Sequence, residues 1–217
     1  SLTDSNAAAD FVNENSAAGT LVGITANASD ADATNNTITY SLDNDDGGRF
    51  TIDPNSGIVS LSGTLDYEAH GSSRSIRIRA TSSDTSFVTK DFAIVIGDVN
   101  EAPVAQSDAY TTSYIDDLVL SAPGVASNDF DPDNDTLTVI MVQGPAVGTA
   151  TMSSDGALIY EPVTGFAGNV TIRYYLTDGQ LSSAVQTIVI RVVVPDNLPP
   201  PNPDGGDSGG SGSGGGG

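Results

Sequence analysis

Oxygen-bearing side chains concentrate in one short stretch near the middle of the chain, from Asp98 to Pro103. Asp98, Asn100 and Glu101 each offer side-chain oxygen, while Pro103 fixes its own φ and biases Ala102 towards extended backbone. A stiff segment with several oxygen ligands suits a hard cation, and Ca²⁺ is the first candidate. The stretch therefore predicts a calcium site.

Two further motifs place acidic residues two positions apart, Asp30 with Asp32 and Asp66 with Glu68. On extended backbone this spacing puts both carboxylates on the same side of the chain. Two carboxylates about 4 Å apart repel each other by about 4 kcal/mol at an effective dielectric constant of 20. No Lys or Arg stands beside these motifs, so a bound cation is the simplest source of the missing positive charge.

The composition restricts the classes of partner. The chain has 28 acidic and 7 basic residues and a formal net charge of −21, which argues against binding nucleic acid or anionic lipid. Asp supplies 24 of the acids and Glu only 4, a bias typical of turns and cation-binding loops. The alternative is an acidic surface that serves solubility alone. For Asp43, Asp45 and Asp46, a solvated acidic turn and a cation site fit about equally well.

The sequence gives little support to an enzyme. It has no Cys and one histidine, His70, and it lacks a nucleophile elbow and a phosphate-binding loop. Without Cys, no disulfide can staple the fold, and bound metal can serve that purpose in a small extracellular protein. No apolar run approaches the roughly 20 residues that span a bilayer, so we expect no membrane insertion.

Short alternating or apolar runs separated by Gly, Asn, Asp and Ser predict an all-β protein with two β-sandwiches in tandem. The predicted domains are 1–101 and 102–194, followed by a disordered Pro-rich and then Gly/Ser-rich tail over 195–217. The predicted strands are 20–25, 37–42, 58–61, 75–80 and 92–96 in the first half, and 109–112, 118–120, 136–142, 157–160, 170–176 and 188–194 in the second. The predicted core of the second domain contains Tyr110, Leu137, Val139, Tyr160, Phe166 and either Tyr174 or Tyr175.

The first hundred residues resemble a cadherin repeat. The resemblance rests on four motifs in order: Asn13-Glu14-Asn15, Asp30-Ala31-Asp32, Leu65-Asp66-Tyr67-Glu68 and Asp98-Val99-Asn100-Glu101-Ala102-Pro103. It implies side-chain calcium ligands at Glu14, Asp66, Glu68, Asp98 and Glu101, with Asn100 and the backbone oxygens of Val99 and Ala102 serving a neighbouring ion. It also implies an outer site at Asp30 and Asp32.

Two departures from the cadherin pattern affect these expectations. The chain has Glu101 where that family usually carries Asp, a longer side chain of equivalent chemistry. It has Ser82 where the family carries a later aspartate, which weakens the outer site unless Asp84 reaches it.

The second half, from about Asp108 to Val194, is similar to the cadherin-like or Ig-like repeats of giant, calcium-dependent (RTX-type) bacterial surface adhesins. The matching segments are 123–139, 155–162, 165–168 and 177–179. By analogy, Asp131, Asp133 and Asp178 would complete the junctional ion from this side, with Asp129 and Asp135 as neighbours. The combined resemblance implies Greek-key sandwiches, first cadherin-like and then cadherin-like or Ig-like.

The leading hypothesis is a calcium-binding extender or adhesion module of a bacterial cell-surface or secreted adhesin, rigidified by Ca²⁺ at the junction between the domains. Ser1 in place of Met suggests a piece of a longer chain, so neighbouring repeats are expected partners and the fragment is expected to be monomeric. The alternative hypothesis is a recognition module that binds polysaccharide or another copy of the adhesin through a sandwich face.

Overall fold

The computed structural model describes residues 1–30 and 37–195. It divides the chain into two compact units, Ser1–Glu101 and a second that begins at Ala102. Asp32 and the predicted tail beyond Pro195 lie outside the described residues. None of the helices in the described part has the length and apolar character to cross a membrane.

The first unit is a sandwich of two four-stranded sheets. One sheet is antiparallel throughout, and the other contains one parallel strand pair. Its strands are β1 (Leu2–Asp4), β2 (Phe11–Asn13), β3 (Leu21–Ala28), β4 (Ile38–Asn44), β5 (Phe50–Ile52), β6 (Ile58–Leu61), β7 (Ser73–Ser82) and β8 (Phe87–Gly97). The sheets have the orders β1-β3-β6-β5 and β2-β8-β7-β4, with β2 parallel to β8. Consecutive strands change sheets at every step from β1 to β5 and again between β6 and β7, which is the Greek-key connectivity of Ig-like sandwiches.

Alternation of apolar and polar residues explains these strands. In β7, Ile76, Ile78 and Ala80 are buried, whereas their neighbours face outwards. The same period-two pattern in β3 and β8 supplies the facing layers of one core. One four-residue helix, α1 (Tyr67–His70), connects β6 to β7 and contains no buried residue.

The second unit repeats this design with seven strands. They are β9 (Asp108–Ser113), β10 (Leu118–Leu120), β11 (Thr138–Gln143), β12 (Thr149–Met152), β13 (Leu158–Glu161), β14 (Gly168–Thr177) and β15 (Gln186–Val193). The sheet orders are β10-β13-β12 and β11-β14-β15-β9, with β9 parallel to β15. A short 3₁₀ helix, Gly124–Ala126, connects β10 to β11.

The structure confirms the all-β class and the two tandem sandwiches. Tyr160 and Tyr174 are fully buried, and Val139 is 5% exposed. Tyr110, Leu137 and Phe166 are only partly buried, and they pack against this core. Of the two tyrosines that the sequence left open, Tyr174 is the core residue, because the inward-facing residues of β14 have even numbers.

Candidate metal centre

Glu14 is a buried carboxylate, only 2% exposed, at the end of β2. Its backbone N–H donates to Gly97 O (2.9 Å), which extends the parallel pairing of Asn13 with Gly97. A Cβ at Gly97 would lie 2.3 Å from Asn13 Oδ1 and 2.5 Å from the Phe11 ring, so the side chains of β2 pack directly over this glycine of β8. The close approach of β2 and β8 therefore fixes where the Glu14 side chain begins.

Both carboxylate oxygens of Glu14 accept backbone hydrogen bonds from distant segments. Val99 N–H donates to Oε1 (2.8 Å) and Tyr67 N–H donates to Oε2 (2.5 Å). One side chain thus ties β2 to the start of α1 and to the segment after β8. Hydrogen bonds to a carboxylate are stronger than neutral ones, so this arrangement holds all three segments in place.

Helix α1 presents Glu68. Asp66 is the N-cap: it has extended backbone, and its Oδ1 accepts the Ala69 N–H (2.6 Å). Glu68 lies in the first turn, where a carboxylate also interacts favourably with the helix dipole. Asp66 therefore caps the N-terminus of the helix that carries Glu68.

Three predicted ligands of the first unit meet at one point. Single carboxylate oxygens of Glu14, Glu68 and Asp98 lie within 4.8 Å of one another. Calcium binds oxygen at about 2.3–2.6 Å, so two ligands of one ion lie at most about 5 Å apart. The three oxygens fit around a single ion of that kind, and all three are the hard donors that it prefers.

Other predicted residues of this region make different contacts. Asp66 and Glu101 are not members of that three-oxygen group. Glu101 Oε1 instead accepts the Asn15 side-chain N–H (2.8 Å), and Asn100 Nδ2 donates to the Glu101 carbonyl (3.1 Å). The Val99 N–H is engaged by Glu14. The sequence missed this role of Asn15, although it lies in the first motif.

In the second unit, Asp131 organises its own loop. The side chain is buried, and Oδ1 accepts the backbone N–H groups of Asp133 (3.0 Å) and Asp135 (3.3 Å). Its other oxygen, Oδ2, is buried and accepts no hydrogen bond from the residues that the structure describes. A buried carboxylate oxygen without a donor is costly, and a bound cation is one way to satisfy it.

Asp178, Asp135 and Asp129 are further predicted ligands of the second unit, and their surroundings differ. Asp178 follows β14 and accepts the Gln180 and Leu181 N–H groups through Oδ1, each at 2.6 Å. Asp135 is exposed. Asp129 is engaged internally instead: Oδ1 accepts the Gln106 N–H (2.7 Å), and Oδ2 lies 3.1 Å from the Tyr174 hydroxyl.

Asp129 belongs to a polar network that the sequence reading missed. The Tyr174 hydroxyl donates to the Gln106 carbonyl (2.7 Å) and lies 3.1 Å from Asp108 Oδ2. Burial raises the pKa of both Asp108 and Asp129, and Asp129 raises that of Asp108 further. The position of Asp108 could have indicated this network, because Asp108 occupies an inward-facing position of β9.

The raised pKa of Asp108 predicts how a substitution will depend on pH. A raised pKa in the folded state means that its contribution to stability is complete below the usual value of 3.8 and is lost as the pH rises through the raised pKa. We expect Asp108→Asn to stabilise the second unit at pH 7, with a gain that shrinks as the pH falls towards 3. Urea unfolding at several pH values, in chelator, measures this gain.

Asp155 provides a control of opposite sign. The Ser153 hydroxyl and the Ala157 N–H hold the pKa of Asp155 below its usual value. Asp155→Asn should therefore destabilise at pH 7, and the deficit should shrink at low pH. A gain for Asp108→Asn that is the same at every pH would contradict the assignment.

The outer site contains two of the residues discussed from the sequence. Asp30 and Ser82 line one depression of about 150 Å³ in the first unit. Asp84 does not line it, and its Oδ1 accepts the Ser86 N–H (2.8 Å) instead. Asp32, the second predicted ligand there, lies outside the described residues.

Asp43, Asp45 and Asp46 stabilise the first unit. Asp43 binds Arg79 through two hydrogen bonds (2.8 and 2.7 Å), and Asp46 binds Arg74. Asp45 accepts the Gly48 N–H (3.0 Å). Arg79 and Arg74 therefore supply positive charge beside Asp43 and Asp46, whereas the contact of Asp45 is that of an acidic turn.

Comparison with known proteins adds two family matches. Residues 11–95 match the model of the cadherin domain, and residues 100–191 match that of the bacterial Ig domain. Human protocadherin Fat 4 is 29% identical over 150 residues, which cover 67% of this chain and only 3% of that protein.

Solved structures of similar fold include two tandem-domain fragments. Human protocadherin-24 EC1-2 (form II) aligns with a TM-score of 0.62 at 18% identity, covering 85% of this chain and 94% of that one. Mouse cadherin-23 EC22-24 aligns with a TM-score of 0.55 at 22% identity, covering 86% and 62%. At such identities these likenesses establish the fold.

Proposed function

Because the chain is a cadherin-like repeat followed by an Ig-like repeat, in the order that its sequence predicted, we propose that it is a calcium-binding adhesion and extender module. The observation that carries the proposal is the convergence of Glu14, Glu68 and Asp98. These residues come from three separate segments of the first unit, so a cation bound by them links those segments.

Calcium is the cation that the donor set favours. All three groups are carboxylates, and the region offers further oxygens on Asn100 and Glu101. Ca²⁺ takes six to eight such ligands in flexible geometry, whereas Zn²⁺ is bound mainly by Cys and His. The chain has no Cys, and its single His70 is contacted by Arg49 and by the Asp66 N–H.

We infer that the second unit contributes to the same ion or to a neighbouring one. The resemblance to cadherin-like repeats implies this role for Asp131, Asp133 and Asp178. The Asp131 oxygen that lacks a hydrogen-bond donor among the described residues supports a cation beside this loop. Binding that requires residues of both units would restrict their relative motion and stiffen the pair.

The proposed setting is the surface of a bacterium, as part of a secreted or cell-surface adhesin. The match of the second unit to a bacterial Ig domain supports a bacterial source. Extracellular calcium modules bind with dissociation constants of about 10⁻⁴ to 10⁻³ M. A module of that affinity binds little calcium at cytosolic concentrations and is loaded outside the cell.

Calorimetric titration of the metal-free chain with CaCl₂ tests the proposal. We expect saturable binding that is weakened about tenfold or more by Glu68→Gln, because an ion loses a charged ligand. Asp133→Asn should weaken the same binding event if the two units share an ion. Asp91→Asn is the control, because Asp91 pairs with Arg77 on the surface of the first unit.

Small-angle scattering with calcium and with chelator tests the stiffening separately. The maximum dimension should be more sharply defined in calcium. Absence of calcium binding to the unchanged chain would refute the function, whereas normal binding with identical scattering would refute only the stiffening. Loss of binding in Glu68→Gln but not in Asp133→Asn would show that the first unit binds its ion alone.

A further inference from the structure

The outward face of the sheet β11-β14-β15-β9 in the second unit differs in charge from the rest of the chain. In β14 and β15, odd-numbered residues face outwards, because the even-numbered apolar residues form the core. None of the outward-facing residues of these four strands is acidic. The acidic residue of β9, Asp108, points inwards to Tyr174. The outward face of β1-β3-β6-β5 in the first unit also lacks acidic residues, but among the sheets of the described residues only the face of β11-β14-β15-β9 combines their absence with basic residues.

That face carries both basic residues of the second unit. Arg173 in β14 and Arg191 in β15 are exposed, and they are the only Lys or Arg residues after Lys90. Arg173 is paired with Thr187 in the ladder, and Arg191 is paired with Asn169. Thr187 and Arg191 are four residues apart on one strand, and Arg173 lies one interstrand spacing to the side, so the Cα atoms of the two arginines are about 14 Å apart.

In the part of the chain that the structure describes, the arginines of the first unit are paired with carboxylates, unlike those of the second unit. On the corresponding sheet, Arg77 binds Asp91 and Arg79 binds Asp43, each through two hydrogen bonds. Within residues 1–30 and 37–195, Arg173 and Arg191 make neither an ion pair nor a side-chain hydrogen bond. Asp116 lines the same depression as Arg191 but forms no ion pair with it among the described residues, so both guanidinium groups can bind an external anion.

We propose that this face binds an acidic polysaccharide, with Arg173 and Arg191 each contacting one carboxylate of the chain. Two arginines whose Cα atoms are about 14 Å apart are well placed to bind successive charged groups of a linear polymer. Thr187 and Asn169 lie opposite the two arginines on the neighbouring strands, Thr171 lies at a register position between them, and all three offer hydroxyl or amide groups to sugar hydroxyls. Tyr175, two positions from Arg173 on the same face, offers an aromatic surface for a sugar ring.

The net charge of −21 does not prevent this binding. At physiological ionic strength the Debye length is about 8 Å, so distant carboxylates are screened and the local arginines dominate. The proposal gives residues and a ligand class to the recognition role that the sequence raised. It does not rest on calcium, because none of the proposed calcium ligands lies in these four strands.

A second copy of the chain is a less suitable occupant. Each copy carries the same net charge, and several of its aspartates already accept backbone hydrogen bonds within their own loops, as Asp53, Asp155 and Asp178 do. A polysaccharide instead presents carboxylates at a regular interval and can fill several sites along its length.

Titration of the full chain with hyaluronan, in calcium and about 0.15 M salt, tests the proposal. We expect saturable binding that Arg173→Gln and Arg191→Gln each weaken about threefold to fivefold, and the double variant about tenfold or more. Arg77→Gln removes the same charge from the first unit and should leave the affinity unchanged. Neutral dextran should not bind.

Four outcomes would overturn the proposal: no saturable binding of hyaluronan, unchanged affinity in the double variant, equal weakening by Arg77→Gln, or equal affinity for dextran. Poly-L-glutamate that binds as tightly as hyaluronan would assign the face to acidic proteins instead. Self-association in sedimentation experiments that disappears in the double variant would assign it to a second copy.

Discussion

Removal of calcium is expected to lower the melting temperature of the first unit by about 10–20 °C. At free calcium a hundred times the dissociation constant, binding to the folded state alone adds about 2.7 kcal/mol of stability. For a domain of about 100 residues, each kcal/mol corresponds to about 4–8 °C. Calorimetric scans in calcium and in chelator measure the shift.

The shift should depend on the three carboxylates and not on charge in general. Glu68→Gln should reduce it strongly, whereas Asp91→Asn, which removes an exposed acid of the same unit, should retain it. Magnesium should replace calcium poorly, because it demands near-ideal octahedral geometry and gives up its waters reluctantly. Equal melting temperatures in calcium and in chelator would contradict the proposed site.

Glu14→Ala is expected to destabilise the first unit by about 3–5 kcal/mol even when no metal is present. The substitution leaves the Tyr67 and Val99 N–H groups without their acceptor, and a hydrogen bond to a charged group contributes about 1.5–3 kcal/mol. It also leaves a cavity where the Glu14 side chain, which is only 2% exposed, had been packed. Urea unfolding in chelator measures the loss.

Glu68→Ala is the matched comparison, because Glu68 is exposed and offers an oxygen to the same group. Without metal it should change stability by less than about 1 kcal/mol. In calcium, both substitutions should abolish most of the metal-dependent stabilisation. Similar stabilities of the two variants in chelator would show that the Glu14 hydrogen bonds contribute little.

The sequence predicted the strands best where alternation is long. β7 and β14 run for ten residues with strict inward and outward alternation, and both were predicted within a few residues of their bounds. The three-residue strands β1, β2 and β5 are too short to show any period. They form because longer neighbours offer them an edge.

The candidate site was predictable as a set of residue types, but its internal contacts were not. The motifs pointed to Glu14, Glu68 and Asp98, yet nothing local indicates that Glu14 is buried. Its two hydrogen-bond donors are 53 and 85 residues away in sequence. Asp66 shows the reverse case, because its position before Tyr67–His70 marks it as a helix cap once the helix is known.

Asp129 was predicted as a neighbour of the metal by analogy with cadherin-like repeats, because it lies in the same acidic loop as Asp131 and Asp133. The structure engages it with Gln106 and Tyr174 instead. Sequence spacing gives acids of one loop the same apparent role, whereas the direction of each side chain depends on how the loop leaves the sheet.

In each sandwich the last strand pairs in parallel with a strand near the start of that unit, β2 with β8 and β9 with β15, and this pairing has a mechanical consequence. When two parallel strands are pulled from opposite ends, all the hydrogen bonds between them are loaded together in shear. β9 and β15 share six paired residues from Asp108 to Ser113, whereas β2 and β8 share only three from Phe11 to Asn13. Under tension we therefore expect the first sandwich to unfold before the second. Glu14, directly after the short strand β2, strengthens the first sandwich there through its hydrogen bonds to Tyr67 and Val99.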